Sequence, residues 1–108
     1  MNLASATWID LGQGVRVQVV PVTPGALAAA RAESVTRLAA MPDADTMPRD
    51  VRDGQLIAFR IHALAISSIV GWEGIAAPCD PEHITLLMCR PELAQEFWAK
   101  ARQMAEAA

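Results

Sequence analysis

Lysine, cysteine and aromatic residues are scarce in this sequence. The scarcity of basic residues relative to acidic ones disfavours nucleic-acid binding. Lysine occurs once, as Lys100, no cluster of basic residues is present, and the net charge is −3 at pH 7. Because the phosphate backbone is bound by concentrated Lys and Arg, we expect no nucleic-acid partner. The longest apolar stretch, residues 56–70, contains Arg60 and His62. It is also shorter than the ~20 residues of a membrane-spanning helix, so we expect no membrane segment.

The first ten residues have neither the basic start nor the apolar run of a signal peptide. We therefore expect a cytoplasmic protein in which the two cysteines, Cys79 and Cys89, are reduced, although a bridge between them stays open. These cysteines and His83 lie within eleven residues, but their spacing is not that of the paired Cys-x2-4-Cys ligands of structural zinc. We predict no metal site, and a small metal-binding cytosolic protein is the least favoured alternative.

Catalytic motifs are also missing from the sequence. No Gly-x-Ser-x-Gly elbow occurs, and no glycine-rich phosphate loop is followed by Lys-Ser or Lys-Thr. Ser67 and Ser68 lie in an apolar stretch, where a hydroxyl most often bonds to a carbonyl one turn earlier. Because nothing supplies a nucleophile, a base and an anion stabiliser together, we predict a non-enzymatic protein without catalytic residues or cofactor.

Hydrophobic patterning predicts a single α+β domain over residues 1–108, mostly α, with an N-terminal β-hairpin followed by three to four helices. Val15, Val17 and Val19 alternate with polar residues after Gly12-Gln13-Gly14, as expected for a hairpin within residues 1–22. Thr23-Pro24 is typical of a helix start, so a peripheral helix is predicted in 23–41. Two prolines and two aspartates indicate a linker over 42–48.

Residues 49–108 are predicted to hold a central helix, a turn and the C-terminal helices. The first helix, about Arg49 to Val70, is apolar on nearly every side, which is typical of a buried element. Gly71 would then end it in a left-handed cap. In the last helix, Leu93, Phe97, Ala101 and Met104 form one apolar stripe with Trp98 beside it. Such a stripe serves either a core or a partner groove, and the small size of the domain favours the core.

The run Ile-Val-Gly-Trp-Glu-Gly-Ile at 69–75 resembles tail assembly chaperones of tailed phages, prophages or gene-transfer agents. The Leu86-Leu87 pair and the segment 90–97, Arg-Pro-Glu-Leu-Ala-Gln-Glu-Phe, strengthen this resemblance, which covers about residues 56–104. In that family a helix leads to a Gly-Trp-Glu-Gly-like turn, a loop and a helical segment with an aromatic near the C-terminus.

The resemblance implies a chaperone that binds tape-measure and tail-tube proteins during assembly in the host cytoplasm, with a homo-oligomer as a further possibility. Five residues are expected to contact a partner: Trp72, Glu73, Phe97, Trp98 and Met104. We expect Phe97, Trp98 and Met104 to line an apolar groove, Trp72 to anchor the turn, and Glu73 to cap backbone N–H groups or to face the partner. The main alternative is a minor tail or adaptor protein that is retained in the virion.

Overall fold

The computed structural model of the chain describes residues 6–107, so the ends of the predicted domain, residues 1–5 and 108, lie outside the described range. Three strands and four α-helices lie within it, which confirms an α+β fold that is mostly α. In chain order they are β1 (Thr7–Gly12), β2 (Val15–Val19), α1 (Pro24–Ala39), α2 (Arg49–Ser68), β3 (Ile69–Glu73), α3 (Pro81–Leu87) and α4 (Pro91–Ala107). A short 3-10 helix, Ala44–Thr46, lies in the predicted linker.

The predicted hairpin is formed by β1 and β2, which pair antiparallel. Gly12, Gln13 and Gly14 all have positive φ, at 87°, 56° and 77°, so the two glycines supply the backbone freedom that a tight connection needs. Along β2 the side chains of Val15, Val17 and Val19 are buried and Arg16 is exposed, as the alternation predicts. One face of the hairpin therefore packs on the core.

The third strand is the main departure from the predicted fold. Helix α2 ends at Ser68, and the chain passes directly into β3, which pairs antiparallel with β2 to give the sheet order β1-β2-β3. The prediction of a helix through Val70 with a left-handed cap at Gly71 is wrong, because Gly71 lies inside β3 and lacks a positive φ. The β-branched residues Ile69 and Val70 favour an extended chain, and β2 offers an unpaired edge to receive it.

The Gly-Trp-Glu-Gly turn consequently begins later than predicted. Trp72 and Glu73 belong to β3, and the chain turns at Gly74, where φ is +88°. A Cβ atom on Gly74 would lie 2.0 Å from the carbonyl oxygen of Gly14, so only glycine lets the end of β3 approach the hairpin turn this closely.

The core lies between the sheet and the helices, and α2 is not at its centre. Its buried residues are confined to its C-terminal half, while Ile57 is 51% exposed and Val51 is 48% exposed. The fully buried large side chains come mostly from β2 and α4, with one from α2; they are Val17, Val19, Leu64, Leu93 and Phe97. Helix α2 packs mainly against α1 and reaches the common core only with its last turns, so much of its apolar surface stays accessible.

Side chains cap the starts of α1 and α3, and the cap of α1 is the predicted one. The Oγ1 atom of Thr23 accepts a hydrogen bond from the backbone N–H of Ala26 at 3.1 Å, and Pro24 occupies the first turn of α1. Asp80 caps α3 in the same way, with its Oδ1 atom 2.9 Å from the N–H of His83. These caps satisfy N–H groups that have no partner within the helix.

Candidate protein-binding surfaces

Trp72 has a structural role in the strand that follows α2. Its side chain points to the same face as Val17, its partner on β2, and packs against the core while remaining partly exposed. The indole Nε1–H donates a hydrogen bond to the carbonyl oxygen of Ala77 at 2.9 Å. Trp72 therefore holds the loop after β3 against the domain.

Glu73 lies on the opposite, outer face of the sheet. Its Oε1 atom accepts hydrogen bonds from Nη2 and Nε of Arg16 at 2.6 and 3.1 Å, and the same guanidinium lies 4.5 Å from the ring centroid of Trp8. The three side chains form a row across all three strands. Because both members of the ion pair are about half exposed, the pair contributes little to the free energy of unfolding. Among the described residues, Glu73 binds this side chain and caps no backbone N–H.

Phe97 does not line a groove, which corrects the prediction for this residue. Its side chain is fully buried, together with Leu93 and Ala101 one turn away on either side. The core of the domain therefore covers the predicted stripe from Leu93 to Ala101, whereas Met104 is partly exposed. A domain of this size needs most of its large apolar side chains to form the core.

Trp98 and Met104 lie beside different elements of the domain. The ring of Trp98 is partly buried and faces α2, where the guanidinium carbon of Arg60 lies 5.8 Å from the ring centroid. Met104 lines a shallow cleft beside β1, together with Trp8. The five predicted contact residues therefore do not form one site.

An apolar groove lies between α2 and the junction of α3 and α4, and we call it the α2–α4 groove. Its volume is about 420 Å³, and its walls are Gly54, Ile57, Ala58, Ile61, His62, Met88, Cys89, Pro91, Ala94 and Gln95. None of these lining residues is Asp, Glu, Lys or Arg. Sequence analysis missed this groove because its two walls are about thirty residues apart, although the spacing Gly54-x3-Ala58 placed two small residues on one helix face.

A second cleft, of about 410 Å³, opens on the other side of the α3–α4 junction, and we call it the hairpin cleft. The turn of the β1–β2 hairpin forms one wall, and α3 with the start of α4 forms the other. His83 is among its lining residues, and its Nδ1 atom lies 2.7 Å from Oδ1 of Asp80. Hydrogen bonds from the backbone and ring of His83 lower the pKa of Asp80. Asp80 therefore stays ionised beside the imidazole.

The residues of the metal-binding alternative are not brought together. Among residues 6–107, no group of three or more His, Cys, Asp and Glu side chains is arranged to hold a metal ion. Both cysteines are free: Cys89 is exposed in the α2–α4 groove, whereas Cys79 is partly buried. Burial and the neighbouring charge of Asp80 raise the pKa of the Cys79 thiol.

Comparison of the chain with protein-family models, with curated proteins and with solved structures finds no match. Across the described part of the chain, no helix is long and apolar enough to cross a membrane. The α2–α4 groove and the hairpin cleft are therefore the features from which a function can be argued.

Proposed function

We propose that this chain is a non-enzymatic tail assembly chaperone of a tailed phage, prophage or gene-transfer agent. It acts in the host cytoplasm and holds an apolar helix face of a tape-measure protein in the α2–α4 groove, with the tail-tube protein as a second client. The observation that carries the proposal is this groove, which has a volume of about 420 Å³ and no lining residue of the Asp, Glu, Lys or Arg types. The resemblance over residues 56–104 supplies the class of client.

The shape of the groove favours a helix as its occupant. Gly54 and Ala58 are one helical turn apart and have almost no side chain, so the backbone of a partner helix can approach α2 closely. Ile57, beside them, is 51% exposed and would be buried by the partner. Burial of apolar surface is worth roughly 25 cal/mol per Å², and amphipathic helices are commonly bound in grooves of this kind.

The size of the groove favours a reversible contact. A stable complex of standard size buries about 800 Å², or about 20–30 residues, on each partner, whereas ten residues line this groove. A contact of this smaller size is more readily reversed than one of standard size. Reversible binding suits a chaperone, because the client has to leave when the tail tube assembles around it.

Co-expression with the tape-measure protein of the same gene cluster tests the proposal. We expect a soluble complex that co-purifies and whose mass, measured by light scattering, exceeds that of either protein alone. A tape-measure chain that stays insoluble while this protein elutes alone would contradict the proposal. Stoichiometric presence in purified particles would instead favour the alternative of a retained tail or adaptor protein.

Two matched variants locate the contact on the surface. Ile57→Glu places a charge in the groove, and Val51→Glu makes the same change on the same helix outside the groove lining; the two positions are 51% and 48% exposed. We expect Ile57→Glu to abolish co-purification and Val51→Glu to preserve it, with unchanged far-UV circular dichroism for both. Equal behaviour of the two variants would show that the groove is not the binding site.

The alkylation rates of the two cysteines report independently on whether a client occupies the α2–α4 groove. Cys89 lies in the groove and is exposed, so a bound client should slow its alkylation. Cys79 lies outside the groove lining and serves as the internal control. A complex in which Cys89 reacts at its free rate would place the client elsewhere on the protein.

A further inference from the structure

The hairpin cleft shares no lining residue with the α2–α4 groove, so it is a separate surface. Its lining mixes polar and apolar residues. Ile75 on one side and Leu86 on the other expose apolar surface, whereas Val15 and Leu93 are buried. Leu86 is 59% exposed, which is unusual for a leucine beside a concave surface. The cleft therefore combines a cavity with a solvent-exposed apolar residue, Leu86, at its edge.

The charged group of the hairpin cleft, Arg90, is suited to an anion. Arg90 is exposed, and within the described part of the chain its guanidinium makes neither an ion pair nor a side-chain hydrogen bond. None of the residues that line the cleft is acidic. Among the lining residues Arg90 is the only one of the Asp, Glu, Lys or Arg types, in a chain whose net charge is −3.

His83 adds a hydrogen-bond acceptor to the cleft. Its Nδ1–H donates to Oδ1 of Asp80 at 2.7 Å, which fixes the orientation of the ring and leaves Nε2 of the neutral imidazole as an acceptor, suited to a peptide N–H and not to a carboxylate. Asp80 is not a lining residue of the cleft, and its carboxylate is held by His83. The unpaired guanidinium of Arg90 is therefore the group that a carboxylate would meet, whereas Nε2 of His83 would meet a peptide N–H.

We infer that the hairpin cleft binds a peptide segment of a partner protein in which a carboxylate lies beside an apolar side chain. The carboxylate pairs with Arg90, and the apolar side chain packs against Ile75. A peptide fits better than a small free acid because Leu86 is exposed at the edge of the cleft. A ligand confined to the cavity leaves Leu86 in water, whereas a continuing peptide chain covers it.

Selection from a displayed library of random heptapeptides tests this inference, and its result does not depend on the proposed chaperone function. We expect peptides selected on the wild-type protein to be enriched in Asp or Glu next to Leu, Ile or Phe. Selection on Arg90→Gln should lose the enrichment in acidic residues. Arg49→Gln is the matched control, since it removes the same charge from an exposed arginine outside the cleft and should preserve the enrichment.

Calorimetry with one selected peptide measures the effect. Arg90→Gln, and separately replacement of the peptide's acidic residue by its amide, should each weaken binding about fivefold, as for a partly exposed ion pair. The two changes made together should weaken binding little more than either alone. A library without acidic enrichment, or enrichment that Arg90→Gln leaves intact, would overturn the inference. Hexanoate that binds as tightly as the selected peptide would overturn the choice of a peptide.

Discussion

Replacement of Gly74 by alanine should destabilise the fold through two separate penalties. The first is conformational, because φ is +88° at this position and an L-residue in the left-handed region costs about 1–2 kcal/mol. The second is steric, because the new Cβ would lie 2.0 Å from the carbonyl oxygen of Gly14 and 3.2 Å from Cα of Val15. These contacts are with backbone, so the strand end or the hairpin turn must shift, at about 1–3 kcal/mol.

Two further alanine variants separate these penalties. Gly12 has φ of +87° and no atom within 4 Å of the position of a Cβ, so Gly12→Ala should show the conformational cost alone, about 1–2 kcal/mol. Gly54 lies within α2, also in open space, and Gly54→Ala should stabilise the protein by about 0.5–1 kcal/mol. Gly74→Ala should lose about 2–5 kcal/mol, a large part of the 5–15 kcal/mol typical of a folded domain.

Urea denaturation followed by far-UV circular dichroism gives the free energy of unfolding for all three variants. We expect the order Gly54→Ala, wild type, Gly12→Ala, Gly74→Ala from most to least stable. If Gly74→Ala and Gly12→Ala were equally stable, the close contact between the end of β3 and the hairpin turn would be refuted.

Three other substitutions or reactions test the placement of single side chains. Trp72→Phe keeps an aromatic side chain but removes the indole hydrogen bond to the following loop and some packed ring atoms, and should lower the free energy of unfolding by about 1–3 kcal/mol in urea denaturation. Phe97→Ala empties a fully buried site and should cost about 3–5 kcal/mol in the same assay; a loss below 1 kcal/mol would place Phe97 at the surface. At pH 8, Cys89 should be alkylated faster than Cys79 in mass-spectrometric time courses, because burial and Asp80 raise the pKa of Cys79 and leave less of it as thiolate. Raising the pH should narrow this difference, whereas equal rates at pH 8 would contradict the partly buried position of Cys79.

Local patterns in the sequence were sufficient to predict the elements whose signals lie within a few residues of one another. The alternation of Val15, Val17 and Val19 after two glycines determined the hairpin, and the Thr23-Pro24 pair determined where α1 begins. The stripe through Leu93 and Phe97 likewise determined which face of α4 is buried. These features depend on backbone preference and side-chain periodicity, which act locally.

Tertiary structure decided the features that depend on partners far along the chain. Residues 69–73 became a strand because β2, about fifty residues earlier, presents an edge for pairing, and no local pattern carries that information. The same holds for the candidate sites. The sequence pattern was compatible with Phe97 at a binding surface, but the tertiary structure buries this side chain. The α2–α4 groove forms because α2 lies beside the α3–α4 junction. Periodicity determines which residues share a helix face, whereas packing against the other elements determines whether that face becomes core or remains exposed to a partner.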